Sequence, residues 1–306
     1  MSALIRRHGM ALIAAGAVLG IAVPPLAAAM RPWLLWISLA VMTLALLRVE
    51  PAALGGVLRR PRLALLVLAW VTLGVPLLVY ALLAPLLPTT SPFLAAAVLI
   101  AATPSVMSAA VFAILLGADA ALLTVVAIPS NALAPALLPA VAALMGVSAQ
   151  VDPWGMALRL AILVFGSFAL AGLAIRLAGR QALRAAAPVL DVWIVLLVIA
   201  SAIPCMDGVG EALLARPLTF LLMLAFALGL NLALQAIGFA VFLAAPREGA
   251  LSAGLVSGTR NMVLLLAALG DPGESDVGLI VAAAQLALFV MPVLVAPAYR
   301  RLRRRP

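Results

Sequence analysis

The chain has 306 residues, of which 67% are hydrophobic and only 9% are charged. A soluble globular protein is about half apolar and a quarter charged, so this composition excludes a soluble domain and predicts an all-α integral membrane protein. The formal net charge of +9 comes from arginine without any lysine. The arginines gather in short loops and in the C-terminal tail, which indicates control of membrane topology and argues against a nucleic-acid partner.

Hydrophobic runs that are long enough to cross a bilayer predict ten transmembrane helices in a single domain, residues 1–306. The first run also has the pattern of a signal peptide, with small residues near Ala27. We retain it as a helix because the internal repeat described below requires it. The predicted spans cover residues 9–30, 31–48, 62–87, 91–116, 119–146, 154–178, 186–206, 216–245, 248–269 and 276–299.

The arginines divide unequally between the two faces of this arrangement. With the N-terminus inside, fifteen arginines lie on the cytoplasmic side, whereas the opposite loops hold only Arg31 and Arg216, with Arg159 near the start of the sixth span. The positive-inside rule therefore predicts cytoplasmic termini, in a bacterial inner membrane.

The two halves of the chain resemble each other at a shift of about 157 residues, which aligns Asp119 with Asp276 and Pro135 with Pro292. Because each half holds five spans, the second half enters the membrane from the opposite side. This predicts a five-plus-five inverted repeat, as in many secondary transporters. Both aspartates begin a span, and N-terminal capping explains them without a functional role. The repeats cover residues 9–146 and 154–300.

Two spans at matching repeat positions, the fourth and the ninth, are interrupted near their middle. The fourth contains Pro104, which removes a backbone hydrogen bond, and the ninth contains the polar segment SGTRN around Arg260. Irregular backbone at membrane depth survives only where it is buried in protein or lines a cavity. Matched interruptions therefore point to a transport site. The predicted substrate-binding residues are Arg260, Asn261, Gly258, Thr259, Ser257, Pro104, Ser105, Ser108, Asn131 and Gln285.

Each of these features also has an ordinary structural interpretation. Proline kinks and small residues are common in membrane helices. Amide side chains such as Asn231 and Gln235, which share one helical face, often form hydrogen bonds between helices. Arginine near a helix end can extend its charge to the interface, although Arg260 lies about a dozen residues from each end of its span.

The segments ATPSVMSAAVFAILLGADAALL and LSAGLVSGTRNMVLLLAAL resemble the fourth- and ninth-helix segments of the bile acid:sodium symporter family and its wider superfamily. The resemblance implies interleaved panel and core subdomains, with the broken fourth and ninth helices crossing at their unwound middles. It also implies that substrate binds beside this crossing and passes by alternating access.

The sequence departs from this family at the positions that the resemblance assigns to sodium. These positions hold Ala109, Ala110, Val256 and Arg260. Methyl groups offer no oxygen to a hard cation, so no metal ion is expected there and sodium is a doubtful partner. The charge of Arg260 is costly at such depth. We expect it to replace a bound cation, to bind a substrate carboxylate or sulfonate, or to do both.

These observations predict a secondary transporter that moves a small organic anion, bile-acid-like or another carboxylate or sulfonate, without obligatory sodium. The alternatives are a sodium- or proton-coupled symporter of the same fold and a non-transporting membrane sensor. An enzyme is not expected, because the single histidine, His8, and the single cysteine, Cys205, offer neither a catalytic triad nor a multi-ligand metal centre. The expected partners are the anion and the lipid bilayer, with no cofactor.

Overall fold

The computed structural model describes residues 12, 14–49, 61–106, 113, 116–146, 152–270 and 275–304, and the regular structure in these ranges is helical. The predicted helical class and its membrane-spanning character are confirmed. Two further helical segments, Asp276–Met291 and Leu294–Leu302, meet at 52° and have the length and composition of a broken span or a re-entrant loop. The six single helices that are long and apolar enough to cross a membrane are Pro24–Leu47, Pro61–Leu83, Ala120–Leu144, Pro153–Ala185, Ala187–Ala215 and Pro217–Val241.

The first described helix, residues 14–22, ends at Val23, which is non-helical (φ −127°, ψ 71°). Helix α1 (Pro24–Met30) then continues through a 3-10 turn into α2 (Leu34–Leu47). The predicted boundary between residues 30 and 31 therefore falls inside a continuous helical stretch. The break comes earlier because Pro24 favours the first position of a helix.

The third and fourth predicted spans, residues 62–87 and 91–116, differ in the length of their helices. α3 (Pro61–Ala69) passes through a π-helical turn (Trp70–Gly74) into α4 (Val75–Leu83), whereas α5 (Pro92–Ala102) is short. The other helices are α6 (Ala120–Leu144), α7 (Pro153–Ala185), α8 (Ala187–Ala202), α9 (Val209–Ala215), α10 (Pro217–Val241), α11 (Arg247–Gly258), α12 (Met262–Leu269) and α13 (Asp276–Arg304).

Helix α5 lies at the centre of the packing. Its residues from Leu94 to Ala102 are at most 4% exposed, because a helix that is apolar on every face must be covered on every face. α4, α6 and α13 provide this cover. The short α5, α11 and α12 are each below the length of a bilayer crossing. The ten spans therefore stay a prediction, and six single helices meet the length and apolarity of a crossing.

The two aspartates that align in the predicted repeat behave differently. Asp119 caps α6 as predicted, since its Oδ1 accepts the Leu122 N–H at 3.0 Å. Asp276 does not cap α13. Ser275 Oγ accepts the Gly278 N–H instead, and Asp276 forms an ion pair with Arg216 at 2.6 Å.

Polar contacts place the helix ends on two opposite faces. Arg48 forms an ion pair with Asp191 at 2.7 Å, which joins the end of α2 to the start of α8. Arg247 donates to the Leu302 carbonyl at 2.8 Å and joins the start of α11 to the end of α13. We call the face that holds Arg48, Asp191, Arg247 and Leu302 the arginine-rich end. α8 runs from it to the opposite end, where Arg216 pairs with the start of α13.

The helix of residues 14–22 packs closely against the end of α8. A Cβ atom added at Gly20 would lie 2.5 Å from the Ile203 carbonyl oxygen, and one at Gly16 would lie 2.8 Å from that of Ile199. Small residues four apart allow two membrane helices to bring their backbones together. The spacing therefore builds a close helix pair at this seam.

Gly20→Ala is expected to lower the melting temperature of the detergent-purified protein by about 2–8 °C, because the added methyl overpacks this seam. Gly229→Ala is the matched control, since its added Cβ meets no atom within 4 Å. The measurement is a thermal unfolding curve for each variant. Equal shifts in the two variants would contradict the close packing of this seam.

Candidate functional site

Helix α5 stops because Pro104 follows it. Thr103 is extended (φ −63°, ψ 138°), as expected for the residue before a proline. The Thr103 hydroxyl donates to the Leu99 carbonyl at 2.7 Å and closes the last turn. The carbonyl groups of residues 103–105 are left without helical partners and must find them elsewhere.

The second break separates α11 from α12. α11 ends at Gly258, and Asn261 begins α12 as its N-cap, with Oδ1 accepting the Leu264 N–H at 3.2 Å. A Cβ atom added at Gly258 would lie 2.5 Å from Gln235 Cγ and 2.9 Å from the Asn231 carbonyl. Close approach of α10 therefore requires glycine at this position.

The two breaks lie against each other and pair as a short antiparallel bridge between Ser105 and Arg260. The Asn261 N–H donates to the Pro104 carbonyl at 2.9 Å. Thr259 accepts at its carbonyl from the Val106 N–H at 3.3 Å and from Ser105 Oγ at 3.1 Å. Each break thus provides hydrogen-bond partners for backbone groups of the other. Non-helical backbone at membrane depth requires such partners.

Arg260 lies at this crossing with no exposed surface. Its Nε donates to the Ser257 carbonyl at 2.9 Å, and its Nη1 donates to the carbonyls of Val71 and Thr103, each at 3.1 Å. No ion pair to a carboxylate is formed by Arg260 within the described ranges. Nη2 has no hydrogen-bond partner there. A permanent positive charge is therefore held by three backbone dipoles.

Each of these three carbonyls is one that a helix interruption releases. Ser257 would pair with the N–H of Asn261 in a continuous helix, but that N–H binds Pro104. Thr103 lies just beyond the end of α5. Because carbonyl groups at a helix C-terminus carry partial negative charge, the ends of α5 and α11 both attract the guanidinium.

The third carbonyl comes from the π-helical turn. There the Val75 N–H donates to Trp70, five residues back. In the same register the Val71 carbonyl would pair with residue 76, which is a proline and has no N–H. The π-helical turn and Pro76 together free this carbonyl for Arg260. π-turns of this kind occur often at functional sites.

A chain of buried hydrogen bonds connects α13 and α10 to the second break. The Tyr299 hydroxyl donates to Gln235 Oε1 at 3.1 Å, and Gln235 Nε2 donates to Asn231 Oδ1 at 2.7 Å. Asn231 Nδ2 then donates to the Gly258 carbonyl at 2.8 Å. The predicted shared face of Asn231 and Gln235 is thus confirmed, and the pair fixes the last turn of α11.

Most predicted site residues meet at the crossing, where their polar groups already bind protein. Asn131 donates to the Ser105 carbonyl at 3.0 Å. Ser257 accepts from Trp70 Nε1 at 3.0 Å, and Thr259 donates to the Leu255 carbonyl at 2.8 Å. Ser108, Ala109 and Ala110 lie outside the described residues, and Val256 is fully buried.

Gln285 of α13 is 4% exposed, and its Oε1 has no hydrogen-bond partner in the described part of the chain. A cleft that Gln285 does not line lies beside the crossing. The cleft has an empty volume of about 260 Å³, part of it open to the outside. It is lined by Ile100, Ala227, Asn231, Leu234, Gly258, Met262, Ala284 and Leu288.

The far end of α12 is held by two arginines that the sequence placed on the outer side. Arg31 donates to the carbonyls of Leu266 at 2.8 Å and Gly270 at 3.3 Å. Arg159 of α7 donates to those of Ala268 and Leu269 at 3.2 and 3.3 Å. Arg31 is 8% exposed. The prediction that Arg31 lies in a loop is therefore wrong. Its side chain turns inward because the carbonyls at the C-terminal end of α12 attract the guanidinium.

Sequence reasoning did not find Val71, Trp70 or Tyr299. Val71 acts through its backbone, and only the Pro76 that follows five residues later could have marked its carbonyl as free.

Comparisons with models of known protein families and with curated proteins find no match for this chain.

Asn231→Leu is expected to lower the melting temperature by about 2–8 °C, because it leaves Gln235 and the Gly258 carbonyl without their buried partners. Asn231 and Gln235 are both at least nine-tenths buried. The control is Leu232→Asn, which places the same amide on an exposed face of α10. If Asn231→Leu lowers the melting temperature less than the control does, this series of buried hydrogen bonds does not stabilise the fold as proposed.

Proposed function

We propose that this protein is a secondary transporter of a small organic anion and that Arg260 replaces a mobile cation at its centre. The observation that supports this is the guanidinium bound by carbonyls of Ser257, Thr103 and Val71. Carbonyl groups arranged around one point are the usual ligands of a monovalent cation in membrane proteins. A cation that is covalently attached removes the need for a sodium ion to assemble the crossing.

The same charge supports an anionic substrate. Arg260 brings an uncompensated positive charge to the broken helices, and its Nη2 retains an unused donor in the described structure. The cleft beside Gly258 has mainly apolar walls, and we propose that it widens to admit a small amphipathic acid when the crossing opens. Because Arg260 itself is fully buried, the anion is expected to reach it only when the crossing opens.

Helix contacts are consistent with the panel and core subdomains of the proposed fold. α2 packs against α7 and α8, which we assign to the panel, and α10 packs against α11 and α13, which we assign to the core. We propose that the short helices and the long ones together form ten spans in an inverted repeat. Alternating access then follows from movement of one group against the other.

We place the arginine-rich end, which includes Arg48 and Arg247, in the cytoplasm of a bacterial cell by the positive-inside rule. We also prefer transport to catalysis. The groups at the described crossing are amides, hydroxyls and one guanidinium, and none forms the nucleophile-and-base pair that covalent catalysis uses. The bile acid:sodium symporter resemblance remains part of the proposal.

Uptake of labelled carboxylates or sulfonates into proteoliposomes is expected to be equal, within about twofold, with an inward sodium gradient and with choline in its place. The physical reason is that Arg260 already supplies the charge that sodium would bring. Strong stimulation by sodium would favour the symporter alternative. Ligand binding without flux would favour the membrane sensor.

Arg260→Ala is expected to abolish this uptake and to create a cation dependence that the native protein lacks. Removal of the guanidinium leaves three buried carbonyls without donors, which costs stability. Sodium chloride, compared with choline chloride, should therefore raise the melting temperature of Arg260→Ala but not that of the native chain. Arg300→Ala, at an exposed position, is the control. Unchanged uptake by Arg260→Ala would refute the proposed role of this residue.

A further inference from the structure

Two arginines from other parts of the chain cap the C-terminal end of α12. Between them, Arg31 and Arg159 bind four of the carbonyls of residues 266–270. The last carbonyls of a helix have no partners within it and carry partial negative charge. Arg31 also donates to the Pro204 carbonyl at 3.3 Å, beyond the end of α8 that lies opposite the arginine-rich end. We call this opposite side the outer end.

Gly270 gives Arg159 the space for its contact. This glycine follows α12 with a left-handed φ of 85°. A Cβ atom added to it would lie 2.6 Å from both Cζ and Nη1 of Arg159. A residue without a side chain therefore lets the guanidinium lie against the backbone at this point.

The contacts of the two arginines join the panel to a helix that starts at the crossing. Arg31 lies just before α2 and Arg159 lies on α7, both of which we assign to the panel. α12 begins at Asn261, whose N–H donates to the Pro104 carbonyl at 2.9 Å. At a rise of about 1.5 Å per residue, its eight residues cover about 12 Å. α12 is thus a short rod between the two broken helices and the outer end.

The polar contacts described at the arginine-rich end have a different distribution. Arg48 and Asp191 join α2 to α8 within the panel. Arg247 and Leu302 join α11 to α13 within the core. These contacts leave panel and core able to separate at that end, whereas the contacts of Arg31 and Arg159 oppose separation at the outer end.

The two arginines differ in how readily they can release α12. Arg31 is 8% exposed and is also bound to the Pro204 carbonyl, so it stays attached beside α8. Arg159 is half-buried, and both of its hydrogen bonds go to α12. Where water has access, it can take the place of either partner in such a bond at a modest net cost. Arg159 is therefore the contact that can break and re-form.

We propose that Arg31 and Arg159 form an outer latch, which closes the outer end in the described conformation, and that release of Arg159 opens it. Substrate then reaches the crossing from the arginine-rich end while the latch is closed and from the outer end after its release. This inference rests on the proposed transport function, because it assigns the latch a place in alternating access.

The test measures access to the crossing from each side of the membrane. The full chain carries Cys205→Ala, which removes its one native thiol, and Ala284→Cys, which places a thiol at a residue that lines the cleft beside the crossing. Membrane vesicles of both orientations are treated with a membrane-impermeant maleimide. Arg159→Gln is expected to raise the labelling rate from the outer end by at least about tenfold. From the arginine-rich end it should not raise that rate.

The matched control is Arg216→Gln, which should change the rate from the outer end less than about twofold. It removes an outer ion pair with Asp276 that joins α10 to α13 within the core. An equal rise in the control, or a rise from both sides in Arg159→Gln, would mean general loosening and overturns the latch.

Failure of the latch is distinguishable from failure of the transport proposal. If the thiol reacts from the arginine-rich end but Arg159→Gln is labelled no faster from the outer end, the latch is refuted and transport stands. If the thiol reacts from neither side in any variant, no path reaches the crossing and both proposals fall. If the variant with Ala284→Cys does not remain monodisperse, Met262→Cys, at another residue lining the same cleft, is measured with the same expected result.

Discussion

Unpaired backbone carbonyls determine the centre of this protein. Every interruption of a buried helix releases groups that must be satisfied inside the protein, because no water is available at membrane depth. Here the interruptions after Thr103, after Ser257 and at Val71 release their carbonyls towards one point, and the guanidinium of Arg260 fills it. Arg260 is thus the donor that satisfies carbonyls from two helix breaks and one π-helical turn at the same time.

The same physics acts at the far end of α12, a helix of only eight residues. Isolated helices of that length are not stable in water, and this one is held by Asn261 at its start and by Arg31 and Arg159 at its end. Arg159 comes from α7, which we assign to the panel. The movement of panel against core that we propose would therefore stretch or exchange the charge–dipole contacts between Arg159 and this end of α12.

The sequence predicted the features whose causes are local. Pro104 and the SGTRN segment marked both breaks because proline and glycine act on their own backbone, and the hydropathy around Arg260 indicated its depth. The sequence did not predict the π-helical turn at Val71, because a one-residue shift in the hydrogen-bond register of a helix does not change its composition. The prediction for Arg31 was also wrong, because an arginine beside a proline resembles a loop residue unless its carbonyl partners, 173 to 239 positions away, are known.

The bridge between Ser105 and Arg260 also constrains how the protein is made. Ser105 and Thr259, which bond across the crossing, are 154 positions apart in sequence. At about 5–20 residues per second, the ribosome needs on the order of 8–30 s to synthesise that interval. During this time the break after α5 has no partner strand, and bare carbonyls are costly in lipid. The chain up to Ser105 therefore cannot satisfy all of its own carbonyls, and the end of α5 must remain in a polar or protein-lined environment until α11 and α12 have been made.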